Sequence, residues 1–125
     1  MNTVTKVSPR SVTETVDHLK EILESKHVKL FFVIDQRAEA RDVGLDLRET
    51  TLVGFGNPQM GTPVMDKAPM AALDLPLKVL VWNNKGKTNV TYYPPSELAE
   101  RHHLEPELQA NLSAIDALTD ALVAT

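Results

Sequence analysis

Cysteine is absent from this chain of 125 residues. Without it the chain has no disulfide, no thiol nucleophile and no metal site built on thiolates. The sequence also lacks a continuous run of about 18 apolar residues, so no segment is predicted to span a membrane. The first residues lack the apolar region of a signal peptide, and a cytoplasmic location is therefore expected.

Positive charge is scarce as well. The chain carries 13 lysine and arginine residues against 17 aspartate and glutamate residues, for a net charge of −4. Binding to a phosphate backbone needs clustered lysine and arginine, so no nucleic-acid partner is expected. A histidine metal site is not expected either, because the adjacent His102 and His103 would point about 100° apart on a helix. The sequence predicts neither a metal nor another cofactor.

Apolar periodicity predicts both helices and strands in a single domain over residues 1–125. Ser11 and Glu14 match a capping box, and the apolar residues that follow them recur at helical spacing, which predicts a helix over 11–25. The run 30–34 is short, apolar and rich in aromatic and β-branched residues, which favours a strand buried on both faces.

The second half of the chain predicts a hairpin, with strands over 77–82 and 88–93 joined by a glycine-containing turn. A C-terminal helix follows from apolar residues at helical spacing, namely Leu108, Leu112, Ile115, Leu118 and Leu122. The order of elements predicts an α+β two-layer sandwich, in which two longer helices cover one face of a mostly antiparallel sheet. An open edge or face of a sheet tends to pair with another chain, so a homodimer is expected.

The segment 54–63 holds three of the chain's five glycines. It is not a dinucleotide fingerprint, because the third glycine of that motif is replaced by Gln59. Thr62 and Pro63 predict the start of a short helix, where the N–H groups around Gly61 and Thr62 would be able to bind an anion. The alternative is that the glycines serve tight turns while Asn57 caps the loop.

Three methionines follow at intervals of five residues, at positions 60, 65 and 70. Methionine fills irregular gaps in cores and also lines adaptable apolar pockets. The spacing favours core packing of an irregular loop, and a ligand pocket is the competing interpretation.

Three blocks of sequence together resemble a prokaryotic family known as the domain of unknown function number 302. The blocks are Gly54–Pro58 with Gly61–Pro63 and Met65, then Leu73–Trp82, and then Tyr92, Pro95, Leu98, Ala99, Arg101 and His102. The resemblance implies a fold similar to the TATA-binding-protein-like arrangement of elements, β-α-β4-α. Many relatives carry histidine after the aspartate that ends the second strand, where this chain has Gln36, so a site that depends on that histidine is not expected here.

The favoured functional hypothesis is a homodimeric module without catalytic activity that binds a small molecule or a partner. Its candidate ligand-binding residues are Asp35, Asn57, Gly61, Thr62, Arg101 and His102. The alternative is an enzyme whose polar cleft is formed by Asp35, Asn57, Arg101 and His102, since pairing of aspartate with histidine can tune a general base. Arg101 and His102 would pair there with Asp35 or with Asp74, and the same pairing also serves to anchor a helix.

Overall fold

The computed structural model describes residues 2–125 and contains a five-stranded sheet. The strands are β1 (Val4–Ser8), β2 (Lys29–Asp35), β3 (Thr50–Gly56), β4 (Leu77–Asn84) and β5 (Lys87–Tyr92). Their order across the sheet is β1-β5-β4-β3-β2, and every neighbouring pair is antiparallel. The outermost strands are therefore β1 and β2.

Residues 2–125 also contain six α-helices and one 3₁₀ helix, and the last three α-helices follow the last strand. The α-helices are α1 (Val12–Ser25), α2 (Gln36–Asp42), α3 (Pro58–Lys67), α4 (Pro95–His102), α5 (Pro106–Ala110) and α6 (Ala114–Val123), and the 3₁₀ helix is Pro69–Leu73. The predicted capping box of α1 is present: the Ser11 hydroxyl accepts from the Glu14 N–H at 3.1 Å and the Glu14 carboxylate accepts from the Ser11 N–H at 3.2 Å. No helix among these residues is both long enough and apolar enough to cross a membrane.

The main core lies between one face of the sheet and the helices α1 and α6. The sheet contributes Val53, Val79, Val81 and Val90, all fully buried. The helices contribute Leu19 and Leu23 from α1, and Ile115, Leu118 and Leu122 from α6. Residues on the opposite face of the central strands, such as Leu52 and Leu80, remain partly exposed. The predicted α+β two-layer sandwich is thus confirmed.

Two predictions about elements are wrong. The strand over 30–34 exists as part of β2, but it is not buried on both faces, because β2 lies at the edge of the sheet and pairs with β3 alone. The predicted C-terminal helix is divided into α5 and α6, with a turn at residues 111–113 between them. The predicted hairpin is confirmed, and its turn places Lys85 and Gly86 at positive φ.

Candidate functional site

The first glycine of the segment 54–63 permits a close contact across the sheet. Gly54 on β3 faces Phe32 on β2, and a Cβ atom at position 54 would overlap the Phe32 ring. The backbone of Gly54 does not adopt a positive φ. Glycine is therefore needed at position 54 because the Phe32 ring occupies the place of a side chain, and not because the backbone adopts an unusual conformation.

Asn57 begins α3 five residues before the predicted helix start. Its side-chain Oδ1 accepts from the Gln59 N–H at 2.9 Å, and Pro58 occupies the first helical position. The carbonyl of Asn57 accepts from the N–H groups of Met60 and Gly61, both at 2.9 Å. The predicted anion site at Gly61 and Thr62 is therefore wrong: the Gly61 N–H is already bonded, and Thr62 is an exposed residue inside the helix.

A cavity of about 700 Å³ lies beside this helix, between the sheet and α6. Its walls are mostly apolar. They include Val28, Phe31, Phe55, Met60, Met65, Leu75, Leu77, Leu112, Ile115 and Leu118. The segment 54–63 contributes Gly56, Asn57, Pro58 and Gly61 in addition.

Within the described part of the chain, three polar or charged side chains line this cavity: Lys26, Asn57 and Asn111. Asn111 donates its Nδ2–H to the Met60 carbonyl at 3.2 Å, which ties the turn between α5 and α6 to α3. The Asn57 side-chain oxygen is engaged in the cap of α3. The cavity therefore offers a large apolar surface with a few hydrogen-bonding groups, which is the usual composition of a small-molecule site.

The methionines separate into two groups. Met60 and Met65 line the cavity, whereas Met70 lies outside it on the 3₁₀ helix and is 65% exposed. None of the three is buried in the core. Core packing, the favoured prediction for these residues, is therefore wrong for Met60 and Met70, and Met60 contributes a flexible wall to the cavity.

Arg101 and His102 form a cluster with Asp74. Asp74 is one of the two aspartates, with Asp35, that were predicted as possible partners of this pair. Arg101 donates to Asp74 Oδ1 at 2.8 Å, and His102 Nε2 lies 2.5 Å from Asp74 Oδ2. Asp74 follows the 3₁₀ helix, and the other two residues end α4, so the cluster fastens these two helices together. The Arg101 guanidinium also lies 5.1 Å from the centre of the Tyr93 ring.

The electrostatics of this cluster favour a charged Asp74. Partial burial alone would raise the pKa of Asp74, but the hydrogen bonds from His102 and Arg101 together outweigh it and hold the pKa below its usual value. The crevice beside Asp74 and His102 is too small to hold a water molecule, and Leu75 and Leu112 line both this crevice and the 700 Å³ cavity. The cluster thus packs behind the wall of the cavity and does not open into it.

Asp35 is in another part of the molecule. It lies opposite Thr51 on β3, six residues from Asn57, which corresponds to about 20 Å along the strand. Its side chain caps α2 by accepting from the Ala38 N–H at 3.0 Å, and it lines a separate cavity of about 340 Å³ between α1 and α2. The predicted polar cleft of Asp35, Asn57, Arg101 and His102 is therefore not assembled in this structure.

Among residues 2–125 no group of three or more histidine and carboxylate side chains is placed to hold a metal. Sequence reasoning missed most of the cavity wall, including Phe31, Leu75, Asn111 and Ile115. These residues come from separate elements and form no local motif. The only signal that pointed to the cavity was the pair Met60 and Met65 near a segment rich in glycine.

Comparison with known proteins places these observations in a family. The family described as Domain of unknown function DUF302 matches residues 4–122. A crystal structure of an uncharacterized conserved DUF302 protein from Bacillus stearothermophilus superposes with a TM-score of 0.83 at 21% sequence identity, covering 98% of this chain and 96% of that chain. This likeness confirms the fold.

Curated relatives come from Brucella species. The Fluoride-specific ion channel FluC 1 of Brucella suis biovar 1 (strain 1330) is 39% identical over 102 residues, which make up 81% of this chain and 40% of that protein. The protein of the same name from Brucella abortus biovar 1 (strain 9-941) matches at the same identity and over 38% of its length. The chain thus spans about two fifths of the length of the curated relatives it matches.

Proposed function

The chain belongs to the DUF302 family, and we propose that it is a non-catalytic module that binds a small, mainly apolar molecule in the cavity beside α3. The observation that carries this proposal is the cavity itself, with its volume of about 700 Å³ and its apolar walls. Sites for small molecules commonly have volumes of about 300–1,000 Å³ and walls of this composition.

The lining residues indicate the chemistry of the ligand. Phe31, Met60 and Leu77 offer apolar contact, and Met60 can adjust its shape because methionine has three rotatable bonds. Asn57 and Asn111 offer hydrogen bonds at one side of the cavity. A ligand with an apolar body and one hydrogen-bonding end fits this arrangement.

Absence of catalysis is part of the proposal. The strongest acid–base pair, Asp74 with His102, lies behind Leu75 and Leu112 and is held by Arg101. A general base must reach the proton that it abstracts. A ligand in the cavity would meet asparagine and lysine side chains there instead of that pair.

The proposal also includes a homodimer and a cytoplasmic location. The exposed apolar edge of the sheet at β2 supports pairing of two copies. Fluoride conduction, which the name of the Brucella relatives states, is not carried over to this chain, because the matched region is about two fifths of those proteins.

Binding is tested with the fluorescent probe 8-anilinonaphthalene-1-sulfonate, which has an aromatic body and one anionic end. Gly61 gives a matched pair of variants, because a Cβ there would lie 3.9 Å from the Met65 side chain and 4.0 Å from that of Leu75, in ordinary contact. Gly61→Leu extends further into the cavity, whereas Gly61→Ala adds only the methyl group. Both replace a glycine inside a helix and are expected to fold.

We expect saturable binding to the unsubstituted chain and to Gly61→Ala, and a rise in Kd of roughly tenfold or more for Gly61→Leu. Melting curves of the three proteins serve as the control for folding. Equal Kd values in all three proteins, or fluorescence that rises without saturation, would contradict the proposed site. A panel of medium-chain carboxylic acids and neutral aromatic compounds, scored by displacement of the probe, then distinguishes an anionic from a neutral ligand.

A further inference from the structure

The charge of the cavity wall is unbalanced. Within residues 2–125, Lys26 is the only charged residue that lines the cavity beside α3, and neither aspartate nor glutamate accompanies it. This contrasts with the chain as a whole, in which acidic residues outnumber basic ones and the net charge is −4. A molecule that enters this cavity therefore meets one positive charge in the wall and no negative one.

The Lys26 side chain is not engaged elsewhere. The ion pairs of residues 2–125 belong to Lys6, Arg101 and His102, and no hydrogen bond joins the Lys26 ammonium to another of these residues. The backbone of Lys26 is fixed by contrast, because its N–H donates to the Ile22 carbonyl at 3.0 Å where α1 ends. The exposed ammonium is thus attached to a rigid point and can turn towards a bound anion.

Lys26 lies at the same end of the cavity as Asn111. Arg10, just before α1, donates to the carbonyls of Leu122 and Ala124 at 3.0 and 3.2 Å. The start of α1 therefore adjoins the end of α6, and the two packed helices run antiparallel. The end of α1, with Lys26, consequently adjoins the turn before α6, which contains Asn111, and both residues line the cavity.

The polar side chains of the wall are gathered on one side. Asn111 is bonded to the Met60 carbonyl, and the Met60 N–H donates to the Asn57 carbonyl at 2.9 Å. Asn57 and Asn111 thus lie close to each other through the first turn of α3, and Lys26 lies at the Asn111 end. The rest of the described wall consists of apolar residues, proline and glycine. A cavity arranged in this way fits a ligand with one polar end and an apolar body.

A second lysine lies beside the wall. Lys29 is paired with Gly56 on β3, and its ammonium lies 4.9 Å from the centre of the Phe31 ring. Gly56 and Phe31 both belong to the wall. Lys29 therefore adds positive potential near the cavity without lining it, which increases the preference for an anion.

The first turn of α3 does not supply the contact for an anion. Pro58 has no N–H, and the N–H groups of the three residues that follow it are already bonded to Asn57. A negatively charged end must then be met by a side chain. Lys26 is the cationic side chain that the described wall provides.

We propose that the ligand of this cavity is a monoanionic amphiphile, such as a medium-chain carboxylate, whose charged end is bound by the Lys26 ammonium. This inference rests on the ligand-binding site of the proposed function and adds the charge of the ligand and the residue that recognises it. Burial of the apolar body supplies most of the affinity. Lys26 determines specificity, because its compact charge favours an anionic end over a neutral one.

The test uses the neutral fluorescent probe N-phenyl-1-naphthylamine, so that the binding signal does not itself depend on Lys26. The probe is displaced by decanoate and by 1-decanol, which share an apolar chain and differ in the charge of the end group. We expect Lys26→Gln to raise the Kd of decanoate by roughly fivefold, and Lys26→Glu to raise it further. The Kd values of the probe and of 1-decanol are expected to stay unchanged.

Lys20→Gln and Lys20→Glu are the matched controls, because Lys20 is exposed on the same helix but does not line this cavity. It lies about 9 Å from Lys26 along the helix axis. At physiological ionic strength its charge is largely screened over that distance, so both controls are expected to bind decanoate as the unsubstituted chain does. Melting curves of all variants check that they fold.

The outcomes are distinguishable. Absence of saturable binding of the neutral probe to the unsubstituted chain would overturn the ligand-binding site, and this inference with it. Saturable binding of the probe, with equal Kd values for decanoate in the unsubstituted chain and in Lys26→Gln, would overturn the inference alone. The same conclusion would follow if Lys20→Glu weakened decanoate as much as Lys26→Glu, because the effect would then arise from the net charge of the protein.

Discussion

The ring of Phe32 lies directly over the backbone of Gly54 on the neighbouring strand. An aromatic side chain on an edge strand thereby shields a glycine that has no side chain of its own, a pairing that fixes the register of adjacent strands. The contact explains why a glycine stands in the middle of β3, where glycine otherwise weakens a strand.

Gly54→Ala is expected to destabilise the protein by about 1–3 kcal/mol, because the added methyl group overlaps the Phe32 ring. Urea denaturation measures the change. In a double-mutant cycle with Phe32→Ala, most of the cost of Gly54→Ala should disappear, since the small side chain leaves room for the methyl group. An additive double mutant would show that the ring is not the obstacle.

Asn57→Ala is expected to lower the free energy of unfolding by about 0.5–2 kcal/mol, because it removes the side-chain cap of α3. Asn57→Asp is the matched control, since aspartate caps helices equally well. Chemical denaturation of both variants checks the prediction. Equal loss in the two variants would point to a role for the amide nitrogen instead of the cap.

Asp74→Asn is expected to cost about 1–3 kcal/mol at pH 7, where the charged carboxylate accepts from Arg101 and His102. The pKa of Asp74 is lower in the folded state than the usual value of about 3.9 for an unfolded chain. The stability contributed by this group is therefore present above the unfolded pKa and is lost as pH falls through the folded pKa.

The variant should accordingly show a shallower loss of stability between neutral and strongly acidic pH. Denaturation midpoints at a series of pH values measure the slope. Asp66→Asn, on an exposed part of α3, controls for the general effect of removing a carboxylate. A slope in Asp74→Asn as steep as in the unsubstituted chain would mean that the cluster does not govern acid stability.

Tyr92→Phe is expected to cost about 1 kcal/mol, because the buried phenol donates to Asp116 Oδ1 at 2.7 Å and joins β5 to α6. The Lys6 ammonium would still lie over the ring, since it is 5.4 Å from the ring centre. Tyr93→Phe is the matched control, as Tyr93 is an exposed neighbour. Thermal melting of both variants checks the prediction, and Tyr92→Phe is expected to melt at a lower temperature than Tyr93→Phe. Equal melting temperatures would contradict it.

Local sequence signals predicted local structure well in this chain. The capping box at Ser11 and the turn at Gly86 act within a few residues, so their outcome does not depend on the rest of the fold. The start of α3 was mispredicted because the same signal occurs twice: Asn57 with Pro58 and Thr62 with Pro63 are both a capping residue followed by proline. The sequence alone gave no means of choosing between them.

Features that depend on the order of strands could not be predicted. The apolar run in β2 has the composition of an interior strand, yet the sheet places it at an edge. The choice between Asp35 and Asp74 as partner of His102 likewise depends on tertiary packing, because Asp35 ends β2 and caps α2, whereas Asp74 follows the 3₁₀ helix that packs against α4. The cavity is assembled from residues between Lys26 and Leu118, so no local pattern could reveal it.

Phe31 belongs both to the wall of the cavity and to the edge strand that is proposed to pair. A guest molecule and a second copy would then act on the same side chain, and the two equilibria would be thermodynamically linked. If ligand binding changes the dimer dissociation constant by some factor, dimerisation must change the ligand dissociation constant by the same factor. The affinity of this protein for its ligand would consequently change with the concentration of the protein itself.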